Sequence, residues 1–468
     1  MGRKRKRLPI LENIEIIDAG AEGKAIAKHN DMVIFVNRVV PGDIVDIQVS
    51  KKRKSYLEGY PIKFHKYSDD RVEAKCDHFG VCGGCKWQNL PYEKQLFYKN
   101  KQVIDSFQRI GKIDIKDVNY ILAAPDEYFY RNKMEYTFSN KKWLTQEEVE
   151  SDNEFDNRNA LGFHVPKMFD KIVDVFECHL QANYSNEIKN FIRDYALNNN
   201  IEFYDIRENT GLLRNLVIRN TDNGELMVIL IVGKEDKATT TLLDAVYSEF
   251  PQITSLNYII NKKLNDSYAD QEVICYKGKD HLMETMGDLI FKVSPKSFYQ
   301  TNSKQAFNLY KKTLEFADIK SNEIVYDLYT GAGTIANFVA RNAKKVIGIE
   351  YVEDAIKDAK INSELNNINN TEFFAGDMKD VLNNKFIEKY GKPNTIIIDP
   401  PRAGMHTDVV NTILNAEPEK IVYVSCNPAT QARDIALMKN KYNTVKIQPV
   451  DMFPHTHHVE NVALLIKK

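Results

Sequence analysis

The sequence predicts a multidomain α/β plus β protein. It has a small OB-like barrel at the N-terminus, a central β-rich domain and a Rossmann-like C-terminal domain. Three observations predict this. Residues 10–65 are short apolar runs punctuated by Gly20, Gly23, Pro41-Gly42-Asp43 and Gly59, the rhythm of a small closed barrel. Residues 67–90 then turn polar, with cysteines and glycines. From Ser303 onward, apolar runs alternate with helical segments, as in a doubly wound parallel sheet with ligands at the C-terminal strand ends.

In chain order, barrel strands are expected at Ile14–Ile17, Met32–Val36, Ile44–Val49 and Tyr56–Phe64. Residues 91–112 read as a helix able to pack on the C-terminal domain despite its place in the chain. Strand-like segments follow between 128 and 295, among them Leu216–Arg219 and Leu226–Val232, and the acidic stretch 145–159 reads as a mobile loop. In the last third, strands are expected at Ile324–Leu328, Lys345–Ile349, Thr371–Phe374, Thr395–Ile398, Ile421–Ser425 and Val462–Ile466. The domains are placed at 1–66, 67–295 and 296–468.

Apolar residues make up 43% and charged residues 28%, an ordinary soluble globular composition. No apolar run approaches the ~18 residues of a membrane span. Met1-Gly2 leads into Arg3–Arg7 with no apolar run behind it, so no signal peptide is expected and the chain is placed in the cytoplasm, where thiols stay reduced. Net charge is −1 overall, but residues 1–66 hold 14 Lys+Arg against 8 Asp+Glu. Basic runs flanking one small β-rich segment suit a phosphate-bearing partner.

Asp327-Leu328-Tyr329-Thr330-Gly331-Ala332-Gly333-Thr334 is a strand end running into a glycine loop and a helix. Glycines let backbone approach a ligand, and a helix N-terminus offers free N–H groups. Glu350 ends the next strand and can accept hydrogen bonds from ribose hydroxyls. The loop also fits a dinucleotide fingerprint. The acidic residue before the loop, Asp377 after the third strand and Asp399-Pro400-Pro401 after the fourth favour S-adenosylmethionine. Cys426, in Ser425-Cys426-Asn427-Pro428, ends another apolar strand as a nucleophile on a tight turn. The bland reading is a buried structural thiol.

Asp399-Pro400-Pro401-Arg402, Ser425-Cys426-Asn427-Pro428, the segment Asp451–Glu460 and Ser297-Phe298-Tyr299-Gln300-Thr301-Asn302 together resemble the RNA uracil-C5 methyltransferases. The N-terminal barrel resembles their TRAM domain. The resemblance implies transfer of a methyl group from S-adenosylmethionine to uracil C5, with Cys426 as nucleophile towards C6, Glu460 removing the C5 proton and Asp399 holding the uracil. It also implies a cofactor site lined by Gln300, Tyr329, Thr334, Glu350, Asp377 and Asp399, with threonine at 334 where the family often has asparagine. His457 and His458 read as turn and packing residues.

Cys76, Cys82 and Cys85, with Cys178, make a three-plus-one set that suits either tetrahedral zinc or an iron–sulfur cluster. The resemblance implies a [4Fe-4S] cluster, and barrel plus cluster points to the 23S ribosomal RNA members over the shorter tRNA enzymes. A radical S-adenosylmethionine enzyme would need Cys-x3-Cys-x2-Cys, which is not present. Cys275, without a partner, is assigned to the core. Tyr128-Phe129-Tyr130-Arg131-Asn132-Lys133 mixes aromatic and basic residues, so Arg131 and Lys133 are candidate RNA contacts, with Arg402 and Arg433 behind them. The target uracil must be extruded to reach Cys426. The full expectation is a monomer acting on 23S rRNA. The alternatives are the same chemistry on tRNA, or an RNA-binding protein with an inactive catalytic domain.

Overall fold

The computed structural model describes residues 8–115, 118–151 and 158–468. The basic run Arg3–Arg7 and residues 152–157 of the acidic stretch lie outside the described residues. Five strands, β1 (Ile10–Ala19), β2 (Ala25–His29), β3 (Met32–Val36), β4 (Ile44–Lys52) and β5 (Tyr56–Lys66), close into a barrel in the order β1-β2-β3-β5-β4. Strand β2 was not anticipated. It is short, and it joins β3 through Asn30-Asp31, both at positive φ (46° and 61°), the two-residue hairpin turn that asparagine and aspartate tolerate. Alternate residues Ile14, Ile16, Ala25, Ala27, Ile34, Val36, Val45 and Ile47 fill the interior.

Helix α1 (Tyr92–Ser106) follows the cysteine-rich loop and ends in a five-residue π turn, Phe107–Gly111. Its buried Leu96, Val103 and Phe107 join Tyr326, Tyr423, Ala432 and Ile435 in one core, so this helix belongs physically to the C-terminal domain.

The central sheet has the order β12-β11-β10-β9-β6-β7-β8. Its strands are β6 (Lys133–Ser139), β7 (Ala160–His164), β8 (Ile172–Asp174), β9 (Leu213–Asn220), β10 (Leu226–Val232), β11 (Ser255–Ile260) and β12 (Ile274–Gly278). Within the stretch expected to be loop, Gln146–Glu150 forms helix α2. Helices α3 (Asn183–Asn198) and α4 (Lys237–Glu249) cover one face through Ile188, Ile192, Leu242 and Val246. Cys275 is exposed, against the expectation of a core thiol, because β12 is an edge strand paired only with β11.

A hairpin, β13 (Leu282–Met286) and β14 (Leu289–Val293), leads into helix α5 (Ser303–Ala317) and the second large sheet. That sheet comprises β15 (Ile324–Leu328), β16 (Lys345–Glu350), β17 (Thr371–Ala375), β18 (Thr395–Ile398), β19 (Lys420–Ser425), β20 (Tyr442–Val450) and β21 (Glu460–Lys467), ordered β17-β16-β15-β18-β19-β21-β20. Helices α6 (Thr334–Ala340), α7 (Glu353–Leu365), α8 (Met378–Val381), α9 (Asn384–Tyr390), α10 (Thr407–Ala416) and α11 (Pro428–Met438) connect the strands. The sheet is not wholly parallel as expected, because β21 runs antiparallel to both β19 and β20. Strand β20 went unseen because Lys446 and Gln448 interrupt its apolar pattern, which also carries a bulge between Thr444 and Lys446.

Candidate active site

Strand register gathers the chemistry. Leu328 pairs with Ile398, and Ile398 with Tyr423, in parallel strands. Ser425 pairs with Asn461 across the antiparallel step. The carboxyl ends of β15, β18 and β19 and the first residue of β21 therefore share one rim, at the point where strand order reverses between β15 and β18. This is where open α/β sheets bind ligands. Tyr329, Asp399, Cys426 and Glu460 stand on that rim.

The turn carrying Cys426 is built by its neighbours. Asn427 caps α11 by accepting from the Ala429 N–H (3.1 Å), and Pro428 follows at the first helical position, an arrangement these residue types favour. The Ser425 hydroxyl accepts from the Asn427 N–H (3.1 Å). Asn427 Nδ2 donates to the Arg402 carbonyl (3.1 Å), as does Thr430 Oγ1 (3.2 Å), tying this turn to the Asp-Pro-Pro-Arg loop. Burial, then the Glu460 and Asp399 carboxylates, push the half-buried Cys426 thiol up to about 11, while the Arg402 guanidinium pulls it down and donates to the sulfur. Burial, with Asp399 second, raises Glu460 to about 8. Asp399 is half-buried at the strand end, and burial raises its carboxyl to about 7. Two carboxyls sharing a dry site with a thiol resist ionising together.

The glycine loop lies beside them. Tyr329, Gly331 and Gly333 all have positive φ (66°, 55° and 76°), and a side chain at Gly331 would meet open space. Buried Asp327 is raised to about 7, accepts from the Thr330 hydroxyl through one oxygen and leaves the other without a partner. Glu350 accepts from the N–H groups of Gly331 (3.2 Å) and Val352 (3.0 Å), which aims its carboxylate at the loop. Thr334 opens α6, and Asp377 caps α8 by accepting from the Lys379 N–H (3.2 Å). An orphaned buried acceptor, an open glycine turn and a held carboxylate fit a nucleoside ligand. Gln300 is buried and hydrogen-bonds the hydroxyl of Tyr310, which is also buried and feels the charges of Asp399, Asp327 and Glu460. Sequence reasoning missed Tyr310, an unremarkable core position of an amphipathic helix.

Cys76, Cys82, Cys85 and Cys178 border one cavity of about 940 Å³, together with Arg131, Lys133, Thr301, Thr456 and His458. Each sulfur receives an N–H: Cys76 from the His78 and Phe79 backbone, Cys82 from Gly84, Cys85 from Gln88 Nε2 (3.1 Å), and Cys178 from Leu180. All four are free thiols. Burial pushes Cys82 up to about 11 and Cys85 to about 12, a shift that a bound cationic centre reverses. Among the described residues, no group of three or more His, Cys, Asp or Glu side chains is gathered tightly enough to hold a metal ion. The donor set is chemically suited to a cluster, but these positions do not close around a single ion. Arg131 stacks its guanidinium over Phe453 (5.5 Å), and Lys133 lies 3.8 Å from Glu135. Arg433 is held by Asp434 (2.7 Å) and the Ala403 carbonyl (2.9 Å). His457 and His458 stack on each other at 4.0 Å, and burial lowers them to about 4 and about 3.

Residues 267–468 match the family model described as tRNA (uracil-5-)-methyltransferase, and residues 12–62 match the TRAM domain. An uncharacterized RNA methyltransferase of Bacteroides thetaiotaomicron is 57% identical, over 95% of this chain and 99% of its own length. One from Porphyromonas gingivalis is 53% identical over 97% and 99%. Among solved structures, the Pyrococcus abyssi tRNA (uracil-54, C5)-methyltransferase in complex with S-adenosyl-L-homocysteine superposes with a TM-score of 0.74 at 28% identity, covering 97% of this chain and all of that one. With its barrel, its catalytic sheet and this full-length similarity, the chain belongs to the RNA uracil-5-methyltransferase family.

Proposed function

We propose that the protein methylates C5 of a uridine in RNA, using S-adenosylmethionine and a covalent Cys426 adduct. The observation that carries the reading is the register that sets Cys426, Asp399 and Glu460 on one rim beside the glycine loop. Gln300, Tyr329, Thr334, Glu350 and Asp377, with Asp399 at the junction, would hold the donor, which supplies an electrophilic methyl on a sulfonium. The full-length likeness to an enzyme solved with S-adenosyl-L-homocysteine supports that assignment.

Uracil C5 is too weak a nucleophile to take a methyl unaided. The Cys426 thiolate bonds to C6 as the C5=C6 π pair moves towards O4, giving an enolate. C5 then gains the methyl, and the old bonding pair stays with the departing sulfur. Glu460 takes the C5 proton, the freed C–H pair rebuilds C5=C6, and the C6–S bond breaks with its pair returning to Cys426. Arg402 favours the thiolate before the addition, and Asp399 orients the uracil. Arg131 and Lys133 contact RNA, residues 1–66 and 67–295 present it, and the enzyme works as a cytoplasmic monomer. Cys76, Cys82, Cys85 and Cys178 would hold a [4Fe-4S] cluster; the zinc alternative would need the four thiols to close further around one ion. Five N–H···S contacts to the four sulfurs around one cavity support the cluster.

The substrate reading is 23S rRNA, on the sequence resemblance. The Pyrococcus enzyme favours a second reading, tRNA, because it matches along its entire length, so length and domain content do not separate the two. The test is mass spectrometry of rRNA and tRNA from a strain lacking the protein, complemented with wild type or Cys426→Ala. Loss of 5-methyluridine from 23S rRNA, restored by wild type alone, is the expected result. Loss from tRNA alone overturns the rRNA reading, and no loss from either overturns both.

A further inference from the structure

The loop Asp451–Val459, between β20 and β21, delivers Glu460 to the rim, and it is held by residues more than 300 positions earlier in the chain, from the cysteine loop, α1 and the segment before β6. The His455 carbonyl accepts from the N–H groups of Lys86 (2.8 Å) and Trp87 (3.0 Å), the two residues that follow Cys85. Gln95, fully buried on α1, closes the bracket. Its Oε1 accepts from the His455 N–H (2.8 Å), its Nε2 lies 3.2 Å from His455 Nδ1, and the same Nε2 donates to the carbonyls of Trp87 (3.0 Å) and Leu90 (2.9 Å). His455 has φ +65°, in the left-handed region, a conformation that a non-glycine residue keeps only where its surroundings over-determine it. Its ring lies against Tyr128, with centroids 4.2 Å apart. Lys99 Nζ donates to Asp451 Oδ1 (2.6 Å) and to the Phe453 carbonyl (3.0 Å), and Tyr130 donates to the Pro454 carbonyl (3.0 Å).

We infer that the cysteine loop is a strut for the loop bearing the catalytic base, with His455 as the positioning residue through which it acts and Gln95 as the clamp. This rests on the reading of Glu460 as the base. The cysteines lie at one end of the strut and Glu460 at the other, five residues past His455. Order in the cysteine loop therefore sets proton removal from C5, and leaves thiol addition and methyl capture to residues on β15, β18 and β19. The cysteine set then has a role in the reaction without moving electrons.

The experiment compares wild type with Gln95→Leu, Gln95→Glu, Cys85→Ser and Glu460→Gln, each first checked for cooperative thermal unfolding. Hydrogen exchange reads the strut directly. Amides of 453–459 in Gln95→Leu and Cys85→Ser exchange roughly tenfold faster or more, while those of β15 and β18 are unchanged. Gln95→Glu, which keeps the acceptor for the His455 N–H, shows a smaller rise. On uridine RNA, Gln95→Leu loses about 10- to 100-fold in turnover at unchanged KM for S-adenosylmethionine and accumulates a methylated, SDS-stable protein–RNA adduct, as does Glu460→Gln. On 5-fluorouridine RNA, where C5 carries no proton to remove, adduct yield equals that of wild type. Unchanged exchange at 453–459, or a parallel loss of the fluorouridine adduct, overturns the strut. If Glu460→Gln itself accumulates no adduct, the base assignment has failed instead, and exchange alone decides for or against the strut.

Discussion

At the residue scale, the site is a set of acids kept from ionising by burial, and pH should report on them. Glu460 acts as a base only as the carboxylate, and burial together with Asp399 raises it to about 8. Release of 5-methyluridine RNA from the methylated adduct in a single turnover should therefore rise with pH, with a midpoint near 8, and the midpoint should fall in Asp399→Asn because the neighbouring like charge is gone. A rate flat from pH 6 to 9 would count against Glu460 as the base. Glu460→Gln should slow turnover by about 10²- to 10⁴-fold, the range for a positioned general base. Asp327 offers a stability test. Its carboxyl is raised from 3.8 to about 7 with one oxygen unpartnered. A raised carboxyl contributes stability that is intact below pH 4 and lost as pH climbs through 7. Asp327→Asn should thus be more stable than wild type at pH 8, by about 1–4 kcal/mol, and lose that advantage near pH 4. Denaturant unfolding at the two pH values checks this, and an equal difference at both would refute it.

At the element scale, helix α1 joins chain segments far apart in sequence. The Lys99–Asp451 pair is completely buried at 2.6 Å, and burial drags the lysine down while Asp451 holds it up. Removing one partner strands the other charge. Lys99→Ala should cost about 3–5 kcal/mol, whereas Lys99→Met with Asp451→Leu should come much closer to wild type. Equal losses in urea unfolding would show that the pair adds nothing beyond packing. Helix α1 also marks what the sequence could and could not convey. Its helical period was readable, but its partners lie some 350 positions away, and no local pattern carries that. Strands β15, β16, β18 and β19 were legible because each is a short, mostly apolar run that leads into a residue with chemistry. Strand β20 has Lys446 and Gln448 in its middle, and its place in the sheet comes from pairing with β21. Cys426 and Glu460 were visible through their motifs. Tyr310 and Gln95 were not, because a buried polar side chain on a helix looks like any other until its partners are known.

At the scale of the whole molecule, the barrel, the residues after the cysteine loop and the loop leading to Glu460 meet at one junction, so RNA affinity and catalysis should be separable by charge but not by deletion. Gly23 in the barrel sits against Lys86 and His457, where even an added Cβ would come within 3.0 Å of Lys86. Removing the barrel would thus disturb the Asp451–Glu460 loop as well as RNA binding. Lys52, Arg53 and Lys54 leave that junction alone. They are exposed on the β4–β5 turn, and Tyr60, Ile62 and Tyr67 present apolar surface on and just after β5 (48%, 49% and 61% exposed). Cations at this turn neutralise phosphates and release counterions, so affinity falls with salt in proportion to the number of contacts. Changing all three to glutamine should make the slope of log K against log salt about 2 units shallower and weaken binding at low salt. Turnover at saturating RNA should stay at the wild-type level, since none of the three lies on the rim with Cys426. An unchanged slope would remove this turn from the RNA interface. A drop in saturated turnover would mean that the barrel does more than hold RNA, and that its contact with Lys86 and His457 transmits into the loop that ends at Glu460.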